Sequence, residues 1–294
     1  MEFQNQNKIR FFIKGMLSAF AGPGIAAANI FHQMDTSWQS GNPYEKFMGR
    51  WSHLVAQQFL AWMAVPANRR WLDVGCGTGT LARVIAADYQ PYEVVALDSS
   101  PEFIAYARQS LPHPALRFKV GNAEALDLSA NAVDVVVSGL VLNFVPQPDA
   151  AVSEMLRVTK PGGKIGIFVW DYADGMEILR YFWDAAVALN YDAITLDEGV
   201  KFPLCKKGRL GSLVREAGLN QVEDASFEIA TVFQSFDDYW QPFLGNVGPA
   251  GSYTMSLDNK DRKQLEARLR ESLPIDEAGA ISLSARAWAV KGLA

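Results

Sequence analysis

Cysteine and histidine are scarce in this 294-residue chain, which has two of the first and three of the second. Cys76 and Cys205 lie far apart, with no C-x-x-C spacing and no histidine cluster beside them. That excludes a disulfide framework and argues against a metal site. An excess of positive charge is missing too: 27 Lys and Arg stand against 32 Asp and Glu, for a net charge of -5. Without a basic field to collect a phosphate backbone, nucleic acid is not expected as a partner. Nor is there an apolar run long enough to span a bilayer. Phe11 to Ile30 comes nearest, but Lys14 and the Gly22-Pro23-Gly24 triplet break it. Although it has some features of a signal peptide, the expectation is a cytoplasmic protein whose residues 1–33 form an extension, either a loosely held arm or sequence upstream of a start at Met34. A single domain is expected over 34–294, and 49% hydrophobic content is enough for its core.

The most informative segment is Trp71–Leu81, WLDVGCGTGTL. An apolar strand ends at Asp73, the chain turns through Gly75, Gly77 and Gly79, and a helix follows. A dinucleotide fingerprint, G-x-G-x-x-G, seats a pyrophosphate on the helix N-terminus. Here its sixth position is Thr80, and Asp73 would set a negative charge beside the diphosphate. The carboxylate suits a cationic ligand instead, and glycine allows the main chain to approach it closely. S-adenosylmethionine, with an ammonium, a sulfonium and no phosphate, meets that requirement. Cys76 reads as a small residue in the tight turn that contacts the same ligand.

D-V-G-C-G-T-G resembles the first motif of class I S-adenosylmethionine-dependent methyltransferases, and the likeness extends from about Tyr44 to the last strand near Val290. It implies methyl transfer with S-adenosylhomocysteine as product, and no metal. Tyr44–Trp51, YEKFMGRW, is similar to a stretch found in a quinone-methyltransferase-like branch, where it is expected to form a helix over the cofactor. Tyr44 and Arg50 are its cofactor candidates, Arg50 as a fork for the methionine carboxylate.

Downstream, strands and helices alternate at β-α spacing. Strands are expected at Arg70–Val74, Glu93–Asp98, Leu116–Val120, Val133–Ser138 and Lys164–Trp170, the last after a Lys160-Pro161-Gly162-Gly163 turn. Gln221–Val232 and Ile281–Val290 read as two more. Together with the resemblance, this implies an α/β, Rossmann-like, doubly wound and mostly parallel seven-stranded sheet whose last strand is antiparallel. Two excursions, about 171–209 and 235–279, are expected to be helical covers.

Asp98, at the second strand tip about 20 residues past the glycines, is expected to accept from ribose hydroxyls. After the third strand, the position where relatives of this type carry G-D-A holds Gly121-Asn122-Ala123. Asn122 would accept from the adenine amino group without charge assistance, weaker by about 1 kcal/mol. Ala123 would offer its N–H, and Ser99 or Leu126 would pack on the ring. Ser138 to Phe144 faces the transferred methyl, with Ser138 grouped among the cofactor contacts. The N-P-P-Y and D-P-P-Y motifs of amino-methyltransferases are absent, which favours a small-molecule acceptor. No catalytic base stands out: Asn143 can orient an acceptor but not take its proton, and His53 beside the first helix is a weak candidate. Trp183, Trp240 and Phe243, among many rings in the excursions, are candidates for an apolar acceptor pocket; packing into a small core under the cover explains them equally well. A cofactor-binding sensor or assembly protein without catalysis is the competing class.

Overall fold

Five short apolar segments, each followed by a turn and most by a helix, set the sheet in the computed structural model, which describes residues 48–294. The expectations for residues 1–33 and for Tyr44 fall outside the described residues. In chain order the elements are α1 (Arg50–Met63), β1 (Arg70–Val74), α2 (Thr80–Asp88), β2 (Glu93–Asp98), α3 (Pro101–Ser110), β3 (Leu116–Val120), β4 (Val133–Gly139), α4 (Pro148–Val158) and β5 (Thr159–Trp170). They are followed by α5 (Glu177–Leu189), α6 (Glu198–Lys201), α7 (Arg209–Glu216), β6 (Asn220–Phe233), α8 (Phe236–Trp240), α9 (Gly248–Ser256), α10 (Asn259–Ser272) and β7 (Ile281–Leu293). Short 3-10 turns punctuate the covers.

The seven strands lie in the order β3-β2-β1-β4-β5-β7-β6. The first five run parallel, and β7 enters antiparallel between β5 and β6. Because the order reverses beside β1, the tips of β1 and β4 splay their following loops to opposite sides, the place where open α/β sheets receive ligands. The central strands carry Val and Leu on both faces and are buried on both, as a doubly covered sheet requires.

Local sequence explains the boundaries. Ser100 caps α3, its Oγ accepting from the Phe103 N–H at 3.2 Å, with Pro101 at the first helical position. Gly218 ends α7 at φ +100°. The Lys160-Pro161-Gly162-Gly163 turn lies within the span of β5: Val133 pairs with Thr159 and Val135 with Lys164, so four residues loop out between two paired positions. The leading helix α1 runs from Arg50 to Met63, and its buried stripe Val55, Phe59, Met63 lies over β5, where Phe59 meets Phe168 at 4.7 Å. Buried apolar side chains of sheet, helices and both covers run together as one core. Among the described residues no helix is long and apolar enough to cross a membrane.

Candidate active site

At the carboxyl edge of the sheet, β1 delivers Asp73 and β2 delivers Asp98. Parallel pairing sets Asp73 level with Ala96, and the N–H groups of Gly75 and Cys76 both donate to the Leu97 carbonyl, at 2.8 and 2.9 Å, which fastens the loop to the tip of β2. Gly77 N–H donates to Asp98 Oδ2 at 2.9 Å, and Ser100 N–H to Oδ1 at 2.9 Å. The two carboxylates expected from the sequence are thus brought together, one on each side of the glycine turn.

Asp73 is fully buried, and neither carboxylate oxygen has a hydrogen-bond partner among the described residues. Burial, then the charge of Asp98, pushes its carboxyl up to about 7, offset in part by the nearby Ala82 N–H in the first turn of α2. An unpartnered buried carboxylate is costly unless something else satisfies it. Asp98 is also raised by burial, against the pull of the Ser100 and Gly77 amides.

The loop glycines divide the labour. All three have positive φ. A Cβ on Gly75 would lie 2.4 Å from Val141, and one on Gly79 would lie 2.6 Å from Leu111, so both are held by packing within the fold. Only at Gly77 would a Cβ meet open space. Of the three loop glycines, Gly77 is the one whose Cα faces open space rather than a neighbouring side chain. The Cys76 thiol is buried, and burial followed by the two aspartates pushes it well above its ordinary range, so it is held neutral.

Other expected contacts fall as follows. Ser99 is exposed just past the β2 tip. Asn122 is exposed, and its Oδ1 accepts from the Glu124 N–H at 2.9 Å, holding the turn after β3; Ala123 is half-buried and Leu126 buried beside it. Ser138 is buried and donates to the Val74 carbonyl at 2.8 Å, so its hydroxyl ties β4 to the tip of β1. Arg50 pairs with Asp238 of α8 at 3.1 Å, its guanidinium 4.4 Å from the Trp51 ring and 4.9 Å from Phe233. The pair uses Nη1 alone; Nε and Nη2 of Arg50 are buried with no hydrogen-bond partner among the described residues. His53 is half-buried one turn further along α1.

Trp183, Trp240 and Phe243 are buried and packed among other rings: Phe182 stacks on Phe243 at 4.6 Å, Trp183 meets Tyr253 at 5.6 Å and Trp240 meets Phe243 at 6.0 Å. They build the small core that joins the two covers, which accounts for their burial without a ligand. A polar clasp sits beside it. The Trp183 indole N–H donates to Glu198, and Arg180 holds Asp197. Burial pushes the Glu198 carboxyl up to about 7.

Sequence reading set Ser138 to Phe144, Asn143 among them, at the exit of β4 but missed the rings of Tyr172 and Phe202 that pack beside it. After β4 the backbone passes through Leu140 at φ +63°, then Val141 against Gly75, then a 3-10 turn, Leu142–Phe144. Within that turn both Nδ2 and Oδ1 of Asn143 are buried with no hydrogen-bond partner among the described residues. Phe144 meets Phe202 edge to face at 5.1 Å, and Phe202 meets Tyr172 at 5.9 Å. Isolated rings in a sequence carry no spacing signal. Here they come from three separate elements, and only the fold brings them together.

Comparison with known proteins agrees with this geometry. Residues 72–167 match the family described as "Methyltransferase domain". Over 190 residues the chain is 28% identical to 2-methyl-6-phytyl-1,4-hydroquinone methyltransferase of Synechocystis sp., covering 64% of this chain and 57% of the relative. Over 121 residues it is 40% identical to demethylmenaquinone methyltransferase of Renibacterium salmoninarum, covering 40% of this chain and 46% of the relative. The chain spans about half the length of the curated relatives it matches. Among solved structures, Haemonchus contortus phosphoethanolamine N-methyltransferase 2, in complex with phosphomonomethylethanolamine and S-adenosylhomocysteine, superposes with a TM-score of 0.57 at 14% identity, over 93% of this chain and 61% of that one. Sheet order, strand-tip carboxylates, glycine turn and family match agree: residues 72–167 match the methyltransferase domain, and the chain is similar to methyltransferases in sequence and in fold.

Proposed function

We propose that this protein transfers a methyl group from S-adenosylmethionine to a small aromatic acceptor of the quinone or hydroquinone type. The observation that carries the cofactor half is the buried, unpartnered Asp73 carboxylate beside the open backbone of Gly77. A cation placed there satisfies an anion that the protein leaves bare. Asp98 is positioned to accept from ribose hydroxyls, and the Asn122–Ala123 turn from and to the adenine edge. When bound, the cofactor supplies a methyl on a cationic sulfur, and the carbon–sulfur electron pair returns to sulfur as the acceptor takes the methyl. The chain's task is alignment and the exclusion of water. Ser138 fixes the spacing of the β1 and β4 tips, and the covers roof the carboxyl edge.

The acceptor class draws support from the two relatives, both named for methylation of quinone-related rings, and from the aromatic wall beside Asn143. Calorimetry with S-adenosylmethionine and S-adenosylhomocysteine, followed by incubation of isotopically methyl-labelled cofactor with hydroquinones and with a metabolite extract, tests both halves. The expected result is binding of both compounds and label in an aromatic product. Binding with label confined to a non-aromatic product would overturn the acceptor class, and absence of binding would overturn the whole reading.

A further inference from the structure

At the edge of the sheet opposite the strand-tip carboxylates lies a cleft of about 420 Å³ that methyl transfer does not use. That is room for a small molecule, since ligand pockets begin at roughly 300 Å³. The cleft is lined by the loop after α1, by Arg69 ahead of β1, by the start of β4 and by the Lys160–Gly163 loop with Lys164. Its charge is lopsided: Arg69, Lys160 and Lys164 stand against one carboxylate, Asp134, in a chain whose net charge is -5. Asp134 is already engaged, Oδ1 accepting from Lys160 Nζ at 2.7 Å and Oδ2 from the Arg70 N–H at 2.8 Å. Lys164 Nζ donates to the Met63 and Ala64 carbonyls, both at 2.9 Å, and pairs with no carboxylate among the described residues. The Arg69 guanidinium has no hydrogen-bond or ion-pair partner among the described residues, although its charge is felt at Asp134. Two positive charges are left without an anion of their own.

Both lysines are fixed in place before any ligand arrives. The carbonyls that hold Lys164 end α1, where Ala64 takes a left-handed φ of 49° that a residue with a Cβ adopts only at a cost. The Lys160 pair ties its loop to the start of β4. Charges that are already ordered lose little entropy when an anion joins them. The Gly162 N–H is given to the Ala294 carbonyl at 2.9 Å, so side-chain cations carry the recognition. We infer that this cleft binds the phosphate group of a small molecule, with Arg69 as a fork for two of its oxygens and Lys164 as a point charge beside it. Two uncompensated cations call for a dianion, and a phosphate ester approaches that charge at neutral pH where a monocarboxylate does not. Ala64, Val65 and Pro66 offer apolar contact to a carbon chain attached to the phosphate. The site lies about 20 Å along β5 from the carboxyl edge and does not rest on the methyl-transfer reading.

Calorimetry of the full chain with inorganic phosphate, butyl phosphate and acetate tests it, at constant ionic strength because salt screens such contacts. Expected is saturable binding of both phosphates, about tenfold tighter for butyl phosphate through its buried methylenes. Acetate is expected to bind at least about 30-fold more weakly than butyl phosphate. Arg69→Glu is expected to weaken butyl phosphate by at least about 30-fold, and Lys164→Met by about tenfold. Affinity for S-adenosylmethionine is expected to stay within about twofold in Arg69→Glu, and thermal unfolding shows whether each variant is folded. Equal affinity for the two phosphates would assign the cleft to the free ion and overturn the apolar contact. Undiminished binding in Arg69→Glu, acetate binding as tight as phosphate, or failure of the parent protein to bind either phosphate overturns the site.

Discussion

A carboxylate at a strand tip loses its water when the chain closes over it, and among the described residues Asp73 gains no ion pair in exchange. Its raised pKa has a defined sign. The unfolded chain releases this proton near 3.8, whereas the folded protein keeps it up to about 7. Between these values the folded state binds more protons, so stability is greatest below the unfolded pKa and is lost as pH rises through the folded one, by about 1.4 kcal/mol per pH unit. Asp73→Asn removes the penalty. Its stability advantage in the absence of ligand is expected to grow from pH 4 to 7 and then level at about 2–4 kcal/mol. Denaturant titrations across that range check it, and an advantage independent of pH would contradict the assignment. The same proton must leave before a cation binds, so affinity for S-adenosylmethionine is expected to fall by up to about tenfold per pH unit below 7, read by calorimetry at pH 5.5, 6.5 and 7.5. Both aspartates were legible in the sequence, because charge at a strand tip next to glycine has few structural uses. Ser138 and Arg50 were legible as polar residues near the site, but their partners, Val74 and Asp238, are distant in sequence and set by the fold.

In the glycine loop, two substitutions of equal size should part company. Gly75→Ala meets Val141 and a φ of +74°, and is expected to destabilise the fold by about 2–4 kcal/mol. Gly77→Ala meets open space at φ +53° and is expected to cost about 1 kcal/mol, while weakening cofactor binding at least tenfold. Thermal unfolding paired with calorimetry separates them, and equal stability losses would mean that both glycines are packed alike. The covers follow a different rule. Phe243 is fully buried between Phe182, Tyr239 and Trp240, so Phe243→Ala is expected to cost about 3–5 kcal/mol through the cavity it leaves. A loss below about 1 kcal/mol in denaturant titration would return that ring to the acceptor pocket. Strands could be read to within a few residues, since buried parallel strands leave continuous Val and Ile runs. The roles of the cover rings could not. A ring buried against other rings and a ring lining a pocket have the same sequence signature, and the difference lies in what the fold sets beside each.

Across the whole molecule, the sheet's order sets two distant sequence regions side by side: residues 73–98, which the proposed function gives to the cofactor, and 140–144, 172 and 202, which it gives to the acceptor. The first half was legible because it is built from one contiguous motif whose charge and glycines answer a fixed ligand. Of the second, Ser138 to Phe144 was legible as the exit of β4, but the rings of Tyr172 and Phe202 were not, because their neighbours come from the ends of β5 and α6 and are set by the fold. The two halves also bear differently on stability. A ligand that binds only the folded state stabilises it by RT ln(1 + [L]/Kd), about 2.7 kcal/mol at one hundred times Kd. For a chain of this size that corresponds to a rise in Tm of roughly 4–5 °C. S-adenosylmethionine is expected to produce such a rise at pH 7.5, a smaller one at pH 5.5, and none in Asp73→Asn. NAD, whose pyrophosphate would face Asp73, is expected to produce none at either pH. A rise with NAD and none with S-adenosylmethionine would assign the strand-tip carboxylates to some other cation and the glycine turn to a phosphate.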